Sequence, residues 1–220
     1  MRSCWKFSPT RASARRSSCD IDQTGKHAIL VIVKDNDAWL LRENTGTTGL
    51  EQTARTAAAT LAHYDIPHLI VGGLAVQEHG YPRVTLDVDI VVPDVLEAVE
   101  FLTADVSGPF ARVPDCDDRL VDRRNQVKID LLPAGKVLKR GCQVPFPQPQ
   151  TVAERPQIIG LAELISLKLD SWANSPSRRL QDKTDVIQLI SRRNLPRDLS
   201  VAPAIQGVYL ETWDALKAET

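Results

Sequence analysis

The fold is decided by one stretch of the chain, Val71-Gly-Gly-Leu-Ala-Val-Gln-Glu-His-Gly-Tyr-Pro-Arg-Val-Thr-Leu-Asp-Val-Asp-Ile90. A short apolar strand runs into the turn Gly72-Gly73, a short helix follows, and a second strand begins at Asp87. Asp87 and Asp89 lie two residues apart in that strand, and because strand side chains alternate between faces, both carboxylates point the same way. Two like charges on one face of an otherwise apolar strand indicate a bound cation that compensates them.

A third acid lies on a later apolar strand. Asp130 interrupts the run Val127-Lys-Ile-Asp-Leu-Leu132, and it completes a three-carboxylate site if the two strands are neighbours. Carboxylate oxygens suit Mg²⁺ or Mn²⁺, which bind such groups together with substrate phosphates. The glycine turn has no side chains, so its N–H groups are open to a phosphate. The alternative for the acids is a strand end at which they meet solvent or arginines.

The combined motif resembles that of the DNA polymerase beta-like nucleotidyltransferase superfamily. The shared pattern is Gly-Gly, a short helix, Asp-x-Asp on a strand and a third Asp on a neighbouring strand. The form His-Gly-x-x-Arg-x-Thr-x-Asp-x-Asp is similar to that of the bacterial branch, which includes toxins of abortive-infection and toxin–antitoxin systems. The matching residues are His79, Gly80, Arg83, Thr85, Asp87 and Asp89. The resemblance covers about residues 50 to 195.

The resemblance implies two-metal transfer of an NMP group from an NTP to an acceptor hydroxyl on RNA such as tRNA, on a protein or on a small molecule. Asp87 and Asp89 would hold both metals, and Asp130 would hold the catalytic one and help the hydroxyl lose its proton. The residues implied in substrate binding are Gly72, Gly73, Arg83, Thr85, Lys168 and Asp185. The alternative is a degenerate, non-catalytic nucleotide- or partner-binding module. Leu74 favours that alternative, because many relatives have Ser at this position.

Two C-terminal helices carry charges among apolar positions. Lys168 falls on the apolar stripe that runs from Leu161 to Trp172, so it needs a charged partner or a route to solvent. Asp182 and Asp185 lie at the head of the next stripe, as an N-cap and a first-turn dipole partner, or with Asp185 as the acid that orients the lysine. The toxin-type relatives show a similar pattern, matched here by Lys168, Leu169, Arg179, Asp182 and Asp185. The resemblance implies that Lys168 contacts the nucleotide and that Asp185 orients it.

Composition limits the partners. The 220 residues have 43% hydrophobic content and a net charge of −1, which gives no bulk attraction to nucleic acid or to a membrane. Local basic groups form either a solvated face or an RNA-binding groove. They are Arg123, Arg124 and Lys128 on a hairpin, and Arg178, Arg179, Lys183, Arg192, Arg193 and Arg197 near the C-terminus. The partners that the resemblance implies are an NTP, an RNA or protein acceptor and a cognate antitoxin, and no membrane is expected.

The four cysteines, Cys4, Cys19, Cys116 and Cys142, show no CxxC spacing. We interpret them as reduced thiols of a cytoplasmic protein. The expected class is α/β (α+β), a small mixed sheet flanked by helices with a helical C-terminal piece. Residues 1–45 are expected to form a basic, Ser-rich and partly disordered tail with a possible hairpin, although an organelle transit peptide has similar composition. Residues 46–150 would form the nucleotidyltransferase core, and residues 151–220 a helical subdomain.

Overall fold

The structure is a computed structural model, and it describes residues 48–219. These residues form a five-stranded mixed sheet and six α-helices. The helices are α1 (Gly49–His63), α2 (Gly72–Glu78), α3 (Val95–Leu102), α4 (Leu161–Asn174), α5 (Leu180–Arg193) and α6 (Gln206–Ala218). The strands are β1 (Leu69–Ile70), β2 (Asp87–Val92), β3 (Phe110–Arg112), β4 (Arg119–Asp122) and β5 (Lys128–Pro133). The predicted fold class is confirmed.

The order of the strands in the sheet is β1-β2-β5-β4-β3. Only the central pair, β2 and β5, is parallel, and the other three pairs are antiparallel. In the parallel pair Asp89 lies opposite Asp130. The sequence could only assume that these two strands were neighbours, and the sheet order confirms it.

The two faces of β2 belong to different parts of the core. Val88, Ile90 and Val92 are fully buried in a cluster that also contains the apolar residues of α1 and α3. The alternate positions face the other side of the sheet, where Val91 packs in a second cluster with residues of α2, α4, α5 and α6. Asp87 and Asp89 share that second face, which places the acids between the sheet and the C-terminal helices.

Several element boundaries differ from the expected ones. The sequence predicts a helix that begins at Leu74, whereas α2 begins at Gly72. It also predicts that Pro93 starts the next helix, whereas α3 begins after Pro93. The reason is that Asp94 caps α3 and accepts N–H bonds from its first turn. Neither β3 nor α6 was expected. A three-residue strand is too short to show a period, and α6 mixes polar residues into its buried face.

A buried polar group ties the turn between β4 and β5 to α1. Thr53 donates to Asp122 over 2.7 Å, and Asn125 donates to a backbone carbonyl of α1 over 3.0 Å. Arg124 pairs with the same Asp122 carboxylate at 2.7 Å, and Arg123 donates to two backbone carbonyls in the loop before β3. These two arginines therefore hold the fold together, which weakens their interpretation as part of an RNA-binding groove.

Within residues 48–219, no helix combines the length and the apolarity needed to cross a membrane. Cys116 and Cys142 are free thiols, and the other two cysteines lie outside the described residues. The predicted hairpin at residues 28–41 also lies outside them. The expected division into three segments stays a prediction.

Candidate active site

Three carboxylates converge where β2 and β5 run side by side. Asp87, Asp89 and Asp130 each offer an oxygen atom, and these three oxygens lie within 4.8 Å of one another. All three residues are partly buried. The structure thus brings together the three acids that the sequence singled out, and their metal-binding role stays a prediction.

The central acid of the cluster is electrostatically strained. Burial, together with the negative charges of Asp87 and Asp130, raises the pKa of Asp89 to about 7, although the charge of Lys168 and the N–H of Gly73 act the other way. A divalent cation would relieve this repulsion directly. Three hard oxygen donors at this spacing fit Mg²⁺ or Mn²⁺, so the residues present suit the cation that the motif implies.

The glycine turn lies directly beneath the acids. Gly72 has a φ of +64°, and a Cβ atom there would lie 1.8 Å from Oδ2 of Asp89. A Cβ atom at Gly73 would lie 2.3 Å from the hydroxyl oxygen of Thr85. The turn therefore needs glycine so that the backbone can pack against Asp89 and Thr85. The side chain of Leu74, by contrast, is buried in the cluster under α1 and does not line the site.

We expect Gly72→Ala to lower the free energy of unfolding by about 1–3 kcal/mol, because it strains the backbone and displaces the carboxylate of Asp89. Urea denaturation measures this change, and binding of Mn²⁺ should weaken in parallel. The matched control is Gly207→Ala in α6, where a Cβ atom meets nothing within 4 Å. The control should be neutral or slightly stabilising. Equal effects of the two substitutions would contradict the close packing at Gly72.

The segment before β2 orients the first acid and connects it to α5. The hydroxyl of Thr85 donates to Asp87 over 2.9 Å, and the residue is buried. Arg83 reaches across the site to Asp185, with 2.8 Å between Nε and Oδ1. Gln77 in α2 donates to the backbone carbonyl of Arg83 and so fixes this segment. Both Arg83 and Thr85 line the cavity described below.

A buried charge network joins α4 to α5. The ammonium of Lys168 lies 2.8 Å from Asp182 and 2.9 Å from Asp185. Ser171 also donates to Asp182, over 2.8 Å. The interpretation of Asp182 as the N-cap is wrong, because α5 begins two residues earlier and Arg179 occupies the cap position. Both acids of α5 instead hold Lys168, a contact that the sequence analysis expected of Asp185 alone.

The acids open onto a cavity of about 420 Å³ between the sheet and the helices α4 and α5. Its lining carries charges of both signs. It includes the three carboxylates and Asp182, and it also includes the basic residues Arg83, Lys168, Arg178 and Arg179. Apolar side chains, among them Leu138 and Phe146, complete the lining. The arrangement suits a ligand that carries anionic groups beside a metal and an apolar or aromatic group.

Two contacts were missed in the sequence. Arg119 on β4 pairs with both oxygens of Asp130, a contact that follows from their register as direct partners in the β4–β5 ladder. His79, which matches the family motif, donates through Nε2 to the backbone carbonyl of Ile159 over 2.7 Å. The histidine therefore anchors α2 to the segment before α4 rather than facing the acids.

No family model matches the sequence, and a comparison with curated proteins found no match. Among solved structures, the antibiotic-resistance factor ANT(2'')-Ia has a TM-score of 0.43 and 13% identity, covering 77% of this chain and 96% of that one. JHP933 of Helicobacter pylori has a TM-score of 0.35 and 13% identity, covering 76% and 89%. A candidate nucleotidyltransferase of H. pylori has a TM-score of 0.36 and 14% identity, covering 76% and 92%.

These likenesses concern the fold alone. At identities of 13–14% and TM-scores below 0.5, the case for function rests on the residues of the site.

Proposed function

We propose that this protein is a metal-dependent nucleotidyltransferase that moves an NMP group from an NTP to an acceptor hydroxyl. The observation that carries the proposal is the triad Asp87, Asp89 and Asp130, whose oxygens lie within 4.8 Å of one another on one wall of a cavity. Two observations support it. The same lining includes the basic residues Arg83, Lys168, Arg178 and Arg179, which suit a triphosphate, and the cavity is large enough for a small ligand.

Each residue has a role in this proposal. Asp87 and Asp89 would hold both cations, and Asp130 would hold the catalytic one and help the acceptor hydroxyl lose its proton. Bound Mg²⁺ or Mn²⁺ supplies charge neutralisation for the triphosphate and for the leaving pyrophosphate. Gly72 and Gly73 keep the turn narrow, so that the substrate approaches the acids closely.

The basic residues of the lining hold the substrate. Lys168 faces the phosphates and is oriented by Asp185. Arg83 pairs with the same Asp185, and Thr85 keeps Asp87 in place. Arg178 and Arg179 at the rim add two guanidinium groups for the phosphate chain. This proposed binding of the phosphates does not rely on a hydroxyl at position 74.

The acceptor is RNA such as tRNA, a protein hydroxyl or a small molecule. By the motif's resemblance, we propose a toxin of a toxin–antitoxin system that works in the cytoplasm beside a cognate antitoxin. Arg178 and Arg179 lie at the rim of the cavity and are exposed, so they are the residues placed to meet an acceptor's phosphates.

The direct test is transfer of label. The full chain is incubated with each of the four NTPs labelled at the α-phosphate, with Mg²⁺ or Mn²⁺, and with pools of RNA, protein or small metabolites. Metal-dependent transfer to one pool, lost in EDTA, supports the proposal and identifies the acceptor class. Metal-dependent NTP binding without transfer to any pool would instead support the non-catalytic binding module. Absence of both binding and transfer would reject the proposal.

Metal binding should depend on pH through Asp89. Because the pKa of Asp89 is raised to about 7, a cation that binds below that pH must displace a proton. We expect the affinity for Mn²⁺ to rise about tenfold per pH unit between pH 5.5 and 7 and to level off above it. The electron paramagnetic resonance signal of free Mn²⁺ measures this affinity. An affinity that stays constant from pH 5.5 to 7 would show that Asp89 does not bind the metal.

A further inference from the structure

Arg119 is in direct contact with the candidate metal site. The residue lies opposite Asp130 in the antiparallel β4–β5 pairing. Its Nε is 2.5 Å from Oδ1 of Asp130, and its Nη2 is 3.0 Å from Oδ2, so the guanidinium engages both carboxylate oxygens. The Arg119 side chain is 41% exposed and that of Asp130 is 23% exposed, so the arginine lies on the solvent side of the pair.

The three acids of the cluster thus have unequal partners. Asp87 accepts a bond from the neutral hydroxyl of Thr85, and Asp89 accepts one from the backbone N–H of Gly73. Asp130 has a full positive charge in a two-bond fork, which is the strongest kind of side-chain hydrogen bond to a carboxylate. Among the described residues, Asp87 and Asp89 have no ion-pair partner in contact, so these are the two acids that remain for one divalent cation.

We propose that Arg119 is a positioning residue that limits the cluster to one divalent cation for as long as its guanidinium holds Asp130. The inference rests on the proposed function, because it requires that the three acids bind metal. The guanidinium fixes the orientation of Asp130 and occupies a lone pair on each of its oxygens. A second cation at Asp130 has to compete with this charge at contact distance, so release of Arg119 opens the second position.

The geometry favours this role over a purely structural one. A surface ion pair of two flexible side chains contributes little to stability. Here one partner belongs to a cluster of like charges, and the pair lowers the repulsion within that cluster. The arginine fork also matches phosphate oxygens, so an anionic substrate offers Arg119 another partner close by.

The test is the number of Mn²⁺ ions bound by the full chain without nucleotide, measured by isothermal titration calorimetry and by electron paramagnetic resonance. Wild type should bind one ion. Arg119→Gln should bind two, with the second bound at least tenfold more tightly than any second ion in wild type. Arg119→Lys keeps the charge but loses the fork, so its affinity for a second ion should lie between the two.

Lys128→Gln is the matched control, because Lys128 is exposed, lies on the face of β5 that carries Asp130, and is the register partner of Asp87. It removes the same charge without touching the carboxylate pair, and it should bind one ion as wild type does. Circular dichroism checks that each variant is folded. If Arg119→Gln does not fold, the comparison of Arg119→Lys with wild type decides the question.

Two results would overturn the inference. One is equal stoichiometry and affinity in wild type and the Arg119 variants, and the other is a second ion gained equally by Lys128→Gln. A different result is expected if the three acids do not bind metal at all. In that case no protein binds Mn²⁺, or Asp89→Asn leaves the binding of Mn²⁺ unchanged, and the proposed function falls with it.

Discussion

Asp89→Asn is expected to lower nucleotidyl transfer at least a thousandfold and, at the same time, to stabilise the metal-free protein. The loss of activity follows because an amide is a poor ligand for a hard cation and because the acid lies at the centre of the triad. Loss of a central electrostatic group typically costs about 10²–10³ in rate, and here the cation itself is lost too. Label transfer from the preferred NTP measures this effect.

The gain in stability has a definite sign. Burial and the neighbouring acids raise the pKa of Asp89 to about 7, so the folded metal-free protein binds a proton there more tightly than the unfolded chain does. The stability contributed by this group is therefore present at low pH and is lost as the pH rises from about 4 to 7. Asn removes that penalty, and we expect about 1–3 kcal/mol at pH 8 and almost nothing at pH 4.

Thermal melts in EDTA at pH 4 and pH 8 test this expectation. The control is Asp117→Asn, an exposed acid in the loop before β4, which should leave both stability and activity as in wild type. Mg²⁺ should raise the melting temperature of wild type and of the control but not that of Asp89→Asn. If Asp89→Asn were instead less stable than wild type at pH 8, the carboxylate of Asp89 would stabilise the fold, and the expectation that it costs stability without a cation would be wrong.

Much of this site could be predicted because it follows from local rules. Strand alternation placed Asp87 and Asp89 on one face, and the glycine pair marked a close approach of the backbone. The apolar stripe around Lys168 showed that this lysine needed a partner, and Asp185 supplies it at 2.9 Å. These features depend on spacing within one element or on a strong physical penalty, and both are visible in a sequence.

The rest depends on register and on loop geometry. The pairing of Arg119 with Asp130 requires the exact offset of β4 against β5, and a shift of one residue would turn the arginine to the other face. The start of α5 two residues earlier than expected changed Asp182 from a cap into a partner of Lys168. Arg178 and Arg179 line the cavity from the loop between α4 and α5. No local pattern encodes such long-range placements.

Asp185→Asn is expected to lower the free energy of unfolding by about 3 kcal/mol, because it breaks a buried ion-pair network from one side. Asp185 is fully buried and lies within 2.9 Å of both Lys168 and Arg83. The substitution keeps the size of the side chain and removes only its charge, so two cations remain with one acid. The melting temperature should fall by about 6–12 °C, measured with urea denaturation alongside to give the free energy.

Asp214→Asn is the matched control, because Asp214 also forms a two-bond pair, with Arg197, but both side chains are half exposed. Water screens that pair, so the control should lose less than about 1 kcal/mol. The double variant Lys168→Met with Asp185→Asn should lose less than the sum of its single variants, since it leaves one cation, Arg83, and one acid, Asp182, and the buried charges stay balanced. Equal losses for Asp185→Asn and Asp214→Asn would contradict a buried network. Strict additivity in the double variant would show that Lys168 and Asp185 do not act as a pair.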